Sequence, residues 1–175
     1  MRIAISGKSG CGNTTVTRKL SERLGVQMVN YTFRNLAVER DIPFQELCRI
    51  AETDPQYDRY VDARQVELAM EGDSVLGSRL AIWMLKQADL KVYLTASVEE
   101  RARRIHEREG GDYQDVLQQT IQRDHGDRER YLKLYEIDND DSGVADIVID
   151  TEKNAPEQIV EMIIQAARER GISID

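Results

Sequence analysis

The chain has 175 residues, 41% hydrophobic and 32% charged, which suits one folded core and leaves no apolar run near the roughly 18 residues a membrane helix needs. A formal net charge of -8 works against broad, non-specific attraction to nucleic acid or an anionic membrane, so any phosphate binding requires basic groups concentrated locally. Two cysteines (Cys11, Cys48) and two histidines (His106, His125) without ligand-like spacing exclude a disulfide framework and argue against an all-protein metal site.

Arg2 to Ser6 reads as a short strand ending in Gly7. Thr14 to Leu24 reads as a helix, with Val16, Leu20 and Leu24 on one face and Gly25 closing it. Val26 to Val29 is a second strand. The pattern is helical from Arg34 to Met70, with Pro43 in the first turn of one helix and a longer helix from Asp58 to Met70. Asp73 to Leu76 is a third strand, followed by a predicted helix from Arg79 to Ala88; Leu90 to Leu94 is a fourth strand. Ser97-Val98-Glu99-Glu100 predicts a capping box. Gly110-Gly111 marks a turn before a long polar helix, about Tyr113 to Tyr135. Ala145 to Asp150 is the last strand, and Asn154 is the expected cap of a final helix with Pro156 near its start.

Strands alternating with helices predict an α/β, three-layer αβα fold with a central parallel sheet of about five strands. Its ligand belongs at the strands' carboxyl ends, where Gly7, Arg79 and Thr95 emerge. No repeat or linker interrupts the chain, so 1–175 is expected to form a single domain. The opening residues lack the features of a signal peptide, which predicts a cytoplasmic protein.

Residues 7–15 carry most of the functional signal: Gly7, Lys8, Ser9, Gly10, Cys11, Gly12, Asn13, Thr14 and Thr15. Gly7, Gly12 and Thr14 fit the G-x-x-x-x-G-K-[ST] phosphate-binding loop, placed as required between a strand and a helix. Its glycines let successive N–H groups converge on phosphate oxygens, and the helix start aims its dipole at the same anion. Thr14 is the expected hydroxyl ligand of Mg²⁺. Asn13 stands at the usual lysine position, which makes Lys8 a candidate replacement cation. Cys11 lies beside the helix start, a setting that favours a thiolate.

The loop GKSGCGNTT, Arg34 after the second strand and VLGSRLAIWML at 75–85 resemble cytidylate kinases, particularly the short archaeal-type branch. Arg123-Asp124-His125-Gly126-Asp127-Arg128-Glu129-Arg130 is similar to the R-D-x-x-D-x-x-R stretch of bacterial members, and the segment after it, through Tyr135 to Asp138, to the archaeal type. The resemblance implies a P-loop kinase that phosphorylates CMP or dCMP from ATP with Mg²⁺. It implies a core at 1–30, 73–108 and 136–175, an acceptor-binding region at about 31–72 and a lid at about 104–130. Arg34 and Arg79 are then expected on the acceptor phosphate, with Arg123, Asp127 and Arg130 on the CMP phosphate and cytosine edge. Arg104 and Arg108 match the lid arginines that close over the transferring phosphoryl. Gly77 departs from the pattern, since relatives often carry an acid there, and the D-x-R-Q stretch at Asp62 and Arg64 has no assigned role. The implied partners are small nucleotides, with no nucleic acid or membrane, and a monomer is expected. Two alternatives stay open: a kinase for another monophosphate or small metabolite, or a nucleotide-binding sensor that has lost catalysis with the loop lysine.

Overall fold

The computed structural model describes residues 1–174. Five parallel strands form one sheet in the order β2-β3-β1-β4-β5. They are β1 (Arg2–Gly7), β2 (Gln27–Val29), β3 (Ser74–Gly77), β4 (Leu90–Thr95) and β5 (Ile147–Asp150). The register pairs Ile5 with Gly77, Gly7 with Leu94 and Thr95 with Asp150, so the strands' carboxyl ends form one edge.

Alternation along the strands sends buried residues to both faces, as a parallel sheet requires. Ile3, Ile5, Val92 and Ile149 pack against Val16 and Leu20 of α1 (Asn13–Leu24) and Ile159 and Ile163 of α8 (Pro156–Glu169). Ala4, Leu76 and Tyr93 pack on the other face against Ala69 of α4 (Gln56–Met70) and Ile82 of α5 (Ala81–Met84). Tyr31, Leu36, Leu47 and Val61 make a satellite core joining α2 (Phe33–Glu39), α3 (Phe44–Ala51) and α4. Ala102, Ile105 and Val116 join α6 (Val98–Glu109) to α7 (Tyr113–Tyr135). No helix among the described residues is long and apolar enough to cross a membrane.

Three local expectations are corrected. The predicted helix from Arg79 to Ala88 shrinks to Ala81–Met84. Leu80, Ile82 and Leu85 are all buried as a plug under the sheet, and tight turns through Lys86 and Ala88 return the chain to β4. Asn154 does not cap α8. Its Nδ2 donates to the Asp150 carbonyl (2.8 Å), while Gln158 Oε1 accepts from the N–H of the N-cap residue, Ala155. The capping box at Ser97 forms by half: Ser97 Oγ accepts from Glu100 N–H (3.2 Å), but the Glu100 carboxylate turns to Arg103 and Arg104. Those guanidiniums hold the Glu100 carboxyl down at about 2.

Candidate active site

The phosphate-binding loop leaves β1 at Gly7 and enters α1 at Asn13. Gly10 and Gly12 take left-handed backbone angles (φ 86° and 91°), and no side chain caps the first turn of α1. Its amides are therefore left for a ligand. Beneath the loop lies Arg101, only 3% exposed. Arg101 donates to the Ser9 carbonyl (3.1 Å), to Ala96 O (3.3 Å) and to both carboxylate oxygens of Asp124 (3.0 and 2.6 Å). A Cβ at Gly10 would meet Arg101 at 2.8 Å, so this approach, as well as the backbone angle, demands glycine.

One loop side chain departs from expectation. Cys11 is buried in the core rather than poised as a thiolate; burial pushes its thiol up, although Arg101 pulls the other way. Asn13 folds back, its Nδ2 donating to the Gly7 carbonyl (2.6 Å). Lys8 extends sideways to Asp140 (2.5 Å) and more distantly to Asp124 (3.8 Å).

A cavity of about 660 Å³ runs from this loop along the carboxyl edge of the sheet to α4. The loop supplies Gly7 to Gly10 and Gly12 to Thr15, and the cations are Lys8, Arg34, Arg79, Arg104, Arg108 and Arg130. Arg79 donates to Asp127 Oδ2 (2.6 Å), and Arg130 to Asp127 Oδ1 (3.2 Å). Asp127 is thus a buried bracket between two arginines and does not line the cavity. Arg34 lies over the Phe44 ring, 4.2 Å from its centroid. Arg104 donates to Gly10 O (3.2 Å) and to Thr151 Oγ1 and O (2.8 and 2.7 Å), tying α6 to the loop and to the end of β5. Arg108 is exposed and bound to neighbouring Glu109 (2.6 Å).

Arg123 stands apart. It donates to Ser9 Oγ (3.2 Å) and lines a different hollow between α6 and α7. Seven residues separate it from Arg130, about 10 Å along a helix, so the two share a face of α7 but not a site. Four residues that sequence reasoning left unassigned also belong here: Asp58, Asp62 and Gln65 on the cavity wall, and Arg101 beneath the loop. The D-x-R-Q stretch signalled Asp62 and Gln65; its Arg64 pairs with Glu67 on the surface (3.0 Å). A second cavity, about 410 Å³, opens beside Thr15 between Arg103 and Arg104 and the segment from Thr151 to Pro156.

No cluster of three or more metal-ligating side chains occurs among the described residues. Thr14 is exposed on the cavity at the start of α1, which fits a hydroxyl shared with a phosphate-bound Mg²⁺ that keeps most of its waters. Gly77 offers no acid, and Thr17 fills the space: a Cβ at Gly77 would meet Thr17 Oγ1 at 2.1 Å.

A parallel sheet of this order, with a glycine loop between β1 and α1 and arginines facing it across one cleft, defines a P-loop kinase fold. The chain belongs to the cytidylate kinase-like family, whose profile matches residues 2–153. It is 47% identical to cytidylate kinase 2 of Borreliella afzelii, covering 98% of this chain and 99% of the relative. It is 40% identical to the cytidylate kinase of Pyrococcus horikoshii, covering 94% and 86%. Among solved structures, shikimate kinase from Acinetobacter baumannii, in complex with shikimate, superposes with a TM-score of 0.62 at 19% identity, covering 98% of this chain and 95% of that one. This last likeness concerns the fold alone.

Proposed function

We propose that the chain transfers the γ-phosphoryl group of ATP to CMP, and also to dCMP, giving ADP and the cytidine diphosphate. The observation that carries the reading is the single cleft that joins the glycine loop to Arg34, Arg79 and Arg130. In the transfer, the bond from the γ-phosphorus to the β-bridging oxygen breaks and a bond to a CMP phosphate oxygen forms. The acceptor oxygen is already anionic, so no general base is required, and the protein's task is to position two polyanions and offset their charge.

The loop amides and the start of α1 would hold the donor's phosphates, and the second cavity, beside Thr15, would take its base and ribose. Thr14 would hold Mg²⁺, which supplies neutralisation of the donor phosphates when bound. Arg34, Arg79 and Arg130 would grip the acceptor phosphate, with Asp127 fixing the last two. Arg104 and Arg108 would complete the cation set over the transferring group, with Arg123 supporting the loop through Ser9. The same reading has the protein working as a cytoplasmic monomer; sedimentation of the purified chain tests the monomer.

The deciding experiment is a coupled ADP assay with ATP and each of CMP, dCMP, UMP, AMP and GMP. CMP is expected to give the highest kcat/KM; a tenfold advantage for AMP or GMP would overturn the assignment. Arg79→Ala should lose about 2–4 kcal/mol of transition-state stabilisation, roughly 30- to 1,000-fold in kcat/KM. Near-normal kinetics in a folded Arg79→Ala protein would show that this arginine does not hold the acceptor.

A further inference from the structure

One wall of a cavity otherwise built for phosphate carries two carboxylates. Asp58, Asp62 and Gln65 follow one another at i, i+4 and i+7 on α4, and all three line the cleft. Carboxylates facing a polyanion site are electrostatically costly, so their presence calls for a ligand group that is not phosphate. Asp58 is 9% exposed; its carboxylate makes no hydrogen bond among the described residues, and its nearest cation is Arg130 at 3.7 Å. Asp62 accepts from the Tyr135 hydroxyl through Oδ2 (2.6 Å), leaving Oδ1 free. Gln65, 8% exposed, donates one amide hydrogen to the Tyr31 carbonyl (2.7 Å), which leaves its Oε1 acceptor and a second N–H unengaged.

Each of the three residues therefore offers the cavity an acceptor. Burial pushes Asp62 up to about 6, against the hydrogen bond from Tyr135 and with the charge of Asp58 adding to the rise. This is the cost of a carboxylate that awaits a donor. Phe44, whose ring lies 4.2 Å from the Arg34 guanidinium, also lines the cleft and gives a flat apolar surface suited to a ring. Arg79 and Arg130 share Asp127, and Arg130 lies 3.7 Å from Asp58, so a nucleotide whose phosphate these arginines grip lies alongside α4.

We propose that Asp58 and Asp62, rather than Asp127, read the base of the acceptor nucleotide by accepting hydrogen bonds from the exocyclic amine of cytosine. The inference rests on the CMP kinase reading above. Cytosine presents an N4 amine where uracil presents the O4 acceptor. Against carboxylates the amine is bound and the carbonyl is repelled, which makes this wall a discriminator between two rings of equal size. Asp127 is unsuited to this work because both of its oxygens are engaged by Arg79 and Arg130.

The test compares kcat/KM for CMP, UMP, dCMP and GMP in the wild type, Asp58→Asn and Asp62→Asn, each checked for folding by thermal melts. An asparagine can turn its amide toward O4, so the CMP-to-UMP ratio is expected to fall by about 10- to 100-fold in at least one variant, with UMP turnover rising in absolute terms. The CMP-to-dCMP ratio should stay within about twofold. Equal losses for CMP and UMP would make the carboxylates structural and overturn the proposal. Collapse of the CMP-to-dCMP ratio would instead assign them to the ribose, and overturn it too. Failure of the underlying reading looks different: a wild type that turns over no CMP, or prefers GMP, removes the CMP kinase assignment and this inference with it.

Discussion

Thr17 Oγ1 would lie 2.1 Å, and its Cβ 2.9 Å, from a Cβ added at Gly77, so the missing acid at the end of β3 has a steric cause in α1. An aspartate there must push α1 away from the sheet. Gly77→Asp is therefore expected to destabilise the fold by about 1–3 kcal/mol, a fall in Tm of roughly 2–12 °C for a chain this size; an unchanged melt would show that Thr17 can yield. Asp62 gives a second residue-scale expectation. Its carboxyl rises to about 6 on folding, while an unfolded aspartate titrates near about 3.9. The folded state binds that proton more tightly, so the charge at Asp62 costs stability above pH 6, and the cost is relieved as pH falls from about 6 towards 4. Asp62→Asn should raise Tm by about 2–6 °C at pH 8 and by much less at pH 4.5, because an amide can still accept from Tyr135 without carrying the charge. Equal gains at both pH values would rule out the ionisation as the cause. Sequence marked Asp62 through the D-x-R-Q stretch but gave it no role, since its meaning depends on which groups α4 faces. Cys11 differs from its sequence expectation for a related reason: proximity to a helix start is visible in sequence, whereas burial beneath the loop is not.

At the scale of elements, α6 and α7 meet the loop through one buried guanidinium. Arg101 on α6 binds Asp124 on α7 in a fork and holds the Ser9 carbonyl at the same time, so helix packing and loop shape are coupled. Truncating one partner leaves the other charge uncompensated, which is the costly way to break such a pair. Arg101→Met is expected to lose about 3–5 kcal/mol, a fall in Tm of roughly 6–20 °C, and Arg101→Met/Asp124→Leu should recover part of it. A double variant no more stable than the single would point to loss of the Ser9 contact as the main cost. The long helix itself was legible: Gly110-Gly111 precedes it and Tyr113–Tyr135 matches the polar run, while the cap at Asp112 emerges only in the structure. What its motif could not tell was rotation. The R-D-x-x-D-x-x-R residue types are all present, yet Asp124 and Asp127 turn inward onto arginines while Arg123 lies about two turns from Arg130. The strands were legible from alternation and from the carboxyl-end emergence of Gly7 and Thr95. The short α5 was not, because buried Leu80, Ile82 and Leu85 mimic a helical face in a segment that is mostly turn.

Across the whole molecule, an acidic chain keeps most of its site cations in internal pairs: Arg79 with Asp127, Arg130 with Asp58 and Asp127, Arg104 with Glu100, Lys8 with Asp140 and Asp124. Substrate phosphates must compete with these carboxylates, and the loop position that ordinarily carries a lysine holds Asn13, whose amide is spent on Gly7. A neutral amide cannot offset phosphate charge, so an active enzyme draws that charge from Lys8 or from Arg104 and Arg108. Lys8 is the nearest in sequence and lines the cleft, but it must first leave Asp140. If it does so, Lys8→Ala should lose about 1–3 kcal/mol in the transition state, roughly 5- to 150-fold in kcat/KM for ATP. Asn13→Lys placed in the Lys8→Ala background should restore part of the loss, because the new cation reaches the same phosphates. Asp140→Asn releases Lys8 without removing it, and is expected to keep or improve the KM for ATP. These variants separate the sources of charge: an unchanged rate in folded Lys8→Ala takes Lys8 out of the reaction and leaves the burden to Arg104 and Arg108, where Arg108→Ala becomes the informative loss. A wild type that binds ATP tightly, judged by a rise in Tm with ligand, yet turns over no monophosphate would mean that none of these cations replaces the lysine.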